Sequence, residues 1–202
     1  MSASYSAMKG ISSHAPASGA ESRGFPGDGD SMLMLEAAQG SEHAFRMIVE
    51  KWKNPLVNFF YRSTRNLATS EDLAQQAFIN LYRARNSYEA RAKLSTYLFQ
   101  IARNVLINEC RQSARRPQGV EINPELDAPA SPDSGLEIAE IEEIFSRAVA
   151  SLPENQRTAI LLLKQQELSY EEIASAMDAT VGAVKTWIHR ARASLRAALM
   201  ER

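Results

Sequence analysis

The chain has 202 residues, of which 45% are hydrophobic, with one cysteine and a formal net charge of -1. That length suits one large or two small domains with real apolar cores, and near-neutrality excludes a uniformly basic nucleic-acid coat. Cys110, standing alone, excludes an intrachain disulfide and any cysteine-cluster zinc site, and reads as a small half-buried apolar residue on a helix.

His14, His43 and His189 lie far apart and suggest no metal set. No run is apolar and long enough to span a bilayer, and the N-terminus lacks the apolar core of a signal peptide. The expected location is the cytoplasm. Sustained apolar–polar alternation is absent, and most segments past Asp30 repeat at spacings of three and four, so the expected class is all-α. No cofactor, metal or small-molecule substrate is expected, and no direct membrane insertion.

Residues 1–29 are rich in Ser, Ala and Gly and poor in large apolar residues, which predicts a disordered tail. Asp30-Ser31 is positioned to cap a helix over Met32–Gln39 that ends at Gly40. Ser41-Glu42 starts the next, with Phe45, Ile48, Val49 and Trp52 on one face, and Pro55 marks a helix start or a kink. Ser70 is the expected cap of a helix to Ala84, with Glu71 and Asp72 in its first turn, as the macrodipole favours. Its Leu73, Ala77, Phe78 and Leu81 face inward. Its Asp72, Gln75, Gln76, Asn80 and Arg83 are left outside.

Asn86–Leu94 reads as a loop, after which Ser95-Thr96 caps a helix to Arg111 with Leu98, Ile101, Ala102, Val105 and Leu106 inward. Tyr88 and Tyr97 lie close in sequence to Arg91, Lys93 and Arg103, a mix of rings and cations that suits unstacked bases on a single strand. A basic cluster, Arg111–Arg116, closes a first domain over residues 30–116. Residues 117–135, with several prolines and acids and no helical period, form a linker. About 20 extended residues reach roughly 65–70 Å at ~3.3–3.6 Å each, which spans about two turns of duplex at ~34–36 Å per turn.

Charge is polarised along the C-terminal part of the chain. From Glu121 to Glu143 there are acids and no Lys or Arg, whereas from Lys185 onward basic residues dominate. A second domain over residues 136–202 opens with a helix from Leu136 to Ser151, carrying Ile138, Ile141, Ile144, Phe145, Ala148 and Val149. Pro153 opens the next helix, Glu154–Gln166, where Ile160, Leu161 and Leu163 pack. Ser169 with Glu172 forms a capping box ahead of Ile173, Ala174 and Met177. Asp178-Ala179 breaks the pattern, and Thr180 caps a last helix whose Val184, Ile188, Ala191 and Leu195 make one buried stripe. Lys185, Thr186, His189, Arg190 and Arg192 occupy the opposite face. Two short helices, a tight turn and a basic outer face read as a helix-turn-helix that enters a DNA major groove.

The chain resembles sigma factors of the bacterial sigma-70 class, specifically the small extracytoplasmic-function type. The residues that carry this are Glu71–Phe78, Leu94–Asn104, Leu152–Arg157, Leu168–Ala174 and Val181–Arg192, and the match runs from about Asp30 to Leu199. No segment corresponds to the middle domain of larger sigma factors.

The resemblance implies a non-catalytic initiation subunit that carries RNA polymerase core to promoter DNA. Asp72, Gln75, Gln76, Asn80 and Arg83 would dock on the polymerase clamp helices. Tyr88, Arg91, Lys93, Ser95, Thr96, Tyr97, Gln100, Arg103 and Asn104 would take the −10 element and hold an extruded base, contacts offsetting the cost of unstacking. Thr180, Gly182, Ala183, Lys185, Thr186, His189 and Arg190 would meet the −35 element, with Arg192 on phosphate. The acidic linker would thread the polymerase near the RNA path. An anti-sigma factor is implied as a further partner.

Tyr97 stands where many relatives have Trp, and Ala183 where many have Thr; Trp187 and His189 are variable in the family, so the −35 sequence stays unnamed. The residues alone also allow a conventional helix-turn-helix regulator with an N-terminal sensor domain, or a helical adaptor. Opposite charges on the two modules further predict a closed state that masks the basic helix. On that expectation the full chain binds DNA weakly and the fragment Leu136–Arg202 binds it more strongly.

Overall fold

The structure, a computed structural model, describes residues 28–113, 136–165 and 167–200. Among them are eight α-helices and no strand: α1 (Gly29–Ala38), α2 (Glu42–Thr64), α3 (Leu67–Ala84), α4 (Leu94–Ser113), α5 (Leu136–Ser151), α6 (Glu154–Gln165), α7 (Tyr170–Met177) and α8 (Val181–Met200). The linker over 117–135, the tail before residue 28 and the expected core side chains Ile138 and Ile141 lie outside the described residues.

The periodicity of the sequence reappears as burial. Leu73, Ala77, Phe78 and Leu81 of α3 and Leu98, Ala102, Val105 and Leu106 of α4 are all buried. They close over Phe59 and Phe60 of α2, with Phe59 edge-on to Phe99 of α4 at 5.5 Å between ring centroids. In the C-terminal half, α8 lies against α5, α6 and α7, and its Val184, Ile188, Ala191 and Leu195 supply the buried stripe. Leu162 is fully buried in α6, where Leu163 is only partly so.

Several helix starts differ from the expected ones. The cap of α1 is Asp28, whose carboxylate accepts the Ser31 N–H at 2.9 Å. Asp30 is instead buried inside the helix, where it accepts from Lys51 Nζ at 2.6 Å and Trp52 Nε1 at 3.1 Å. The cap of α3 is Asn66, accepting from the Thr69 N–H at 2.8 Å, so its first turn has no acid. Ser70 is buried and donates to the Asn66 carbonyl. Asp, Asn and Ser are near-equal caps, so a run holding several leaves the choice to packing.

Pro55 neither starts nor divides α2, which runs through it. α4 begins at Leu94, and Ser95 and Thr96 sit buried in its first turn. Gly40, at φ 99, takes the left-handed conformation that ends α1 at little cost.

The capping box is present as expected. Ser169 Oγ accepts the Glu172 N–H at 3.1 Å, and Glu172 Oε2 accepts the Ser169 N–H at 2.8 Å. Ser169→Ala is expected to cost about 0.5–2 kcal/mol, read as a lowered midpoint in chemical denaturation, with Ser169→Asn recovering most of it.

The halves also touch each other. α7 packs on α4, and α2 on both α5 and α6. Arg65, left-handed at the C-terminus of α2, holds Glu143 through both carboxylate oxygens at 2.8 and 2.7 Å. Arg62 donates to Ser146 Oγ at 2.8 Å, and Arg157 to the Ser63 carbonyl at 3.2 Å.

Candidate functional site

Three surfaces carry the candidate residues. The first is the outer face of α3. Asp72, Gln75, Gln76 and Arg83 are exposed and Asn80 is half-buried, its Oδ1 accepting from Gln76 at 2.9 Å. Beside them runs a groove of about 740 Å³ between α2 and α3. Phe45, Val49, Phe78, Ile79 and Tyr82 form its apolar floor, and Lys53, Asp72, Gln75 and Arg83 stand among its lining residues. Sequence reasoning missed this floor because Phe45 and Val49 read as ordinary core. The signal for it was Ile79 and Tyr82, which fall off the inward stripe and stay 38% and 39% exposed.

The second surface is the segment from Tyr88 into α4. A cavity of about 200 Å³ is lined by Tyr88, Arg91, Thr96, Tyr97, Gln100 and, from α7, Ser175. It is smaller than the ~300–1,000 Å³ of sites for drug-sized ligands, so it suits a single flat base at most. Tyr88 and Tyr97 lie ring to ring at 5.5 Å, tilted by 46°. Burial pushes both phenols above their ordinary pKa, so both are neutral donors.

Tyr88 is not an open stacking platform, because it is 8% exposed and its hydroxyl donates to Ser31 Oγ at 3.0 Å. Ser95 and Thr96 are buried too, and Thr96 Oγ1 has no hydrogen-bond partner. These three stand behind the surface, which is left to Arg91, Lys93, Tyr97, Gln100, Arg103 and Asn104. Of these, Arg91 pairs with Glu89, and Lys93 reaches Glu172 of α7 at 2.8 Å. The Arg103 guanidinium lies 3.5 Å from Asn155 Oδ1 of α6. The Glu172 hydrogen bond and charge raise the Lys93 pKa. Burial pushes the Glu172 carboxyl up, but Lys93 and the Ser169 cap outweigh it and hold the carboxyl below its usual range.

The third surface is α8. Lys185, Thr186, His189, Arg190 and Arg192 all point outward and are exposed. Lys185, Arg190 and Arg192 make no ion pair among the described residues. Thr180 Oγ1 accepts the Ala183 N–H at 3.2 Å and so caps the helix. Thr186 Oγ1 donates to the Gly182 carbonyl at 3.0 Å, which ties its hydroxyl to the helix. Gly182 is exposed and Ala183 half-buried. The basic face of α8 is exposed and α7 faces α4 most closely, while Arg190 at its margin borders the seam with α4.

Cys110 is exposed rather than half-buried. It borders a cavity of about 600 Å³ at the seam, with Arg103, Glu154, Trp187 and Arg190. Among the described residues no group of His, Cys, Asp and Glu side chains could hold a metal, and no helix is long and apolar enough to cross a membrane.

Two family patterns match the chain. The family pattern "Sigma-70 region 2" matches residues 48–116, and "Sigma-70, region 4" matches residues 142–195. The RNA polymerase sigma-H factor of Pseudomonas aeruginosa is 31% identical over 84% of this chain and 93% of its own length. The ECF RNA polymerase sigma-E factor of Escherichia coli is 31% identical over 82% of this chain and 92% of its own. SigW of Bacillus subtilis is 31% identical, over 82% and 94%.

Among solved structures, the sigma factor RpoE in complex with the anti-sigma factor NepR from Bartonella quintana superposes with a TM-score of 0.67. It is 26% identical, over 77% of this chain and 96% of that one. CnrH in complex with the cytosolic domain of CnrY shares the fold at a TM-score of 0.66 and 24% identity, over 86% and 99%.

Proposed function

Because the chain belongs to the extracytoplasmic-function sigma factors of the sigma-70 family, we propose a division of its labour among the three surfaces. The α3 face and its apolar groove dock on polymerase core. Arg91, Lys93, Tyr97, Gln100, Arg103 and Asn104 take the single strand of the −10 element, over a buried support of Tyr88, Ser95 and Thr96. Lys185, His189 and Arg190 read base edges of the −35 element, while Arg192 and the exposed start of α8 meet phosphate.

The observation that carries this reading is the outer face of α8. Unpaired cations on a helix held by a buried stripe suit the major groove. A conventional regulator leaves the α3 groove unused. The chain supplies binding energy and no catalysis of its own, and it acts where bacterial polymerase acts, in the cytoplasm. The complex of the RpoE relative with NepR supports an anti-sigma protein as a further partner here.

The test is run-off transcription with purified core polymerase on fragments of the source genome. Expected is a discrete set of start sites that appears only with the chain added. Unchanged initiation on every fragment refutes the proposal.

A further inference from the structure

We infer that Ser31 of α1 is a positioning residue for the −10 strand. Through the Tyr88 hydroxyl it pins the irregular stretch 88–93, and with it the Tyr88–Tyr97 ring pair, in the shape that receives an unpaired base. The inference rests on the −10 assignment of the proposed function. Ser31 is 1% exposed and touches no strand itself. Hydrogen count fixes the direction of its bonds. The ionised Asp28 carboxylate has no proton to give, and it accepts from both the Ser31 N–H and the Ser31 O–H. The one hydroxyl proton of Ser31 is thereby used. Its Oγ is left to accept, and the Tyr88 O–H donates to it at 3.0 Å. Bonds that run one way toward a charge polarise and strengthen one another.

The anchor is itself held. Asp30, the next residue, accepts from Lys51 and Trp52 of α2, and Met34 and Ala37 are buried on the same helix. Across the bond the need for an anchor is greater. From Tyr88 to Lys93 the backbone has no regular structure, and Tyr88 is the one buried residue of that stretch. Arg91 and Lys93, assigned to the strand, hang between this point and the start of α4 at Leu94. Tyr97, ring to ring with Tyr88 at 5.5 Å, lines the cavity of about 200 Å³ together with Thr96 and Gln100. A phenylalanine at 88 would fill the same volume, so the hydroxyl adds direction rather than bulk.

Two variants of the full chain, assembled on core polymerase, test this. The probe is the non-template −10 strand of a start site found by run-off, at fixed salt. Ser31→Ala leaves a buried phenol without an acceptor. It is expected to lower the denaturation midpoint and to weaken strand binding roughly three- to tenfold, the size of one net hydrogen bond. The double variant S31A/Y88F removes donor and acceptor together, which is expected to restore the midpoint. It does not restore the pin. Its strand affinity is expected to stay roughly three- to tenfold down, and its amides in 88–93 to exchange with deuterium faster than those of the wild type. Exchange in α3 and affinity for −35 duplex are expected to be unchanged.

A double variant that regains wild-type strand affinity and amide protection along with its stability overturns the inference, because Ser31 then serves the fold alone. Unchanged strand affinity in Ser31→Ala overturns it too. Failure of the sigma-factor reading looks different: the wild-type chain then gives no start sites with core polymerase, and deuterium exchange, which needs no DNA, still reports the pin. Loss of this inference alone leaves initiation by the wild-type chain intact.

Discussion

Phe99→Ala is expected to cost about 3–5 kcal/mol of stability and to abolish promoter-directed initiation at growth temperature. The Phe99 side chain is fully buried in α4. It meets Phe59 edge-on at 5.5 Å and Trp52 at 6.0 Å, so one truncation removes two ring contacts and opens a void between α2 and α4. A domain's whole stability is about 5–15 kcal/mol, so the loss is a large share of it. The damage reaches function because the same helix carries Tyr97, Gln100 and Arg103 on its other face. Urea denaturation reads the effect. Phe99→Leu, which keeps most of the volume, is expected to lose much less, and a loss under about 1 kcal/mol for the alanine variant contradicts this packing.

Much of this was legible because helical burial repeats at a fixed spacing. The stripe Val184, Ile188, Ala191, Leu195 and the set Leu73, Ala77, Phe78, Leu81 were readable from residue type alone, and both are buried as expected. The capping box at Ser169 and Glu172 was equally plain, since both its partners lie within one turn. Cap positions elsewhere shifted to Asp28 and Asn66, because neighbouring Asp, Asn and Ser compete on nearly equal terms and a local pattern does not rank them.

What the local pattern does not contain is long-range pairing. Lys93 read as a nucleic-acid cation and Glu172 as a helix cap, yet neither residue type points to the other. Asp30 read as a cap, and its true partners Lys51 and Trp52 become visible only once α1 folds against α2. The groove floor at Ile79 and Tyr82 escaped for a related reason. Apolar residues beside a buried stripe look like its margin until the neighbouring helix shows which of them remain uncovered.

Arg190→Ala and the pair Asp72→Ala/Gln75→Ala are expected to separate the two halves of the function. Arg190 is exposed on α8 and unpaired among the described residues, so its removal leaves the fold intact. If it reads a guanine edge, the loss is about 1–3 kcal/mol of duplex affinity, roughly five- to 150-fold, with binding to core polymerase unchanged. Asp72 and Gln75 line the α3 groove and are exposed, away from the buried stripe. Their truncation is expected to weaken association with core several-fold and to leave affinity of the isolated chain for −35 duplex as it was. Both measurements are made on both variants, by fluorescence anisotropy with duplex and by competition for core. A variant that loses both affinities together places the two surfaces on one interface. Two clean, opposite losses are what a tether between polymerase and promoter requires.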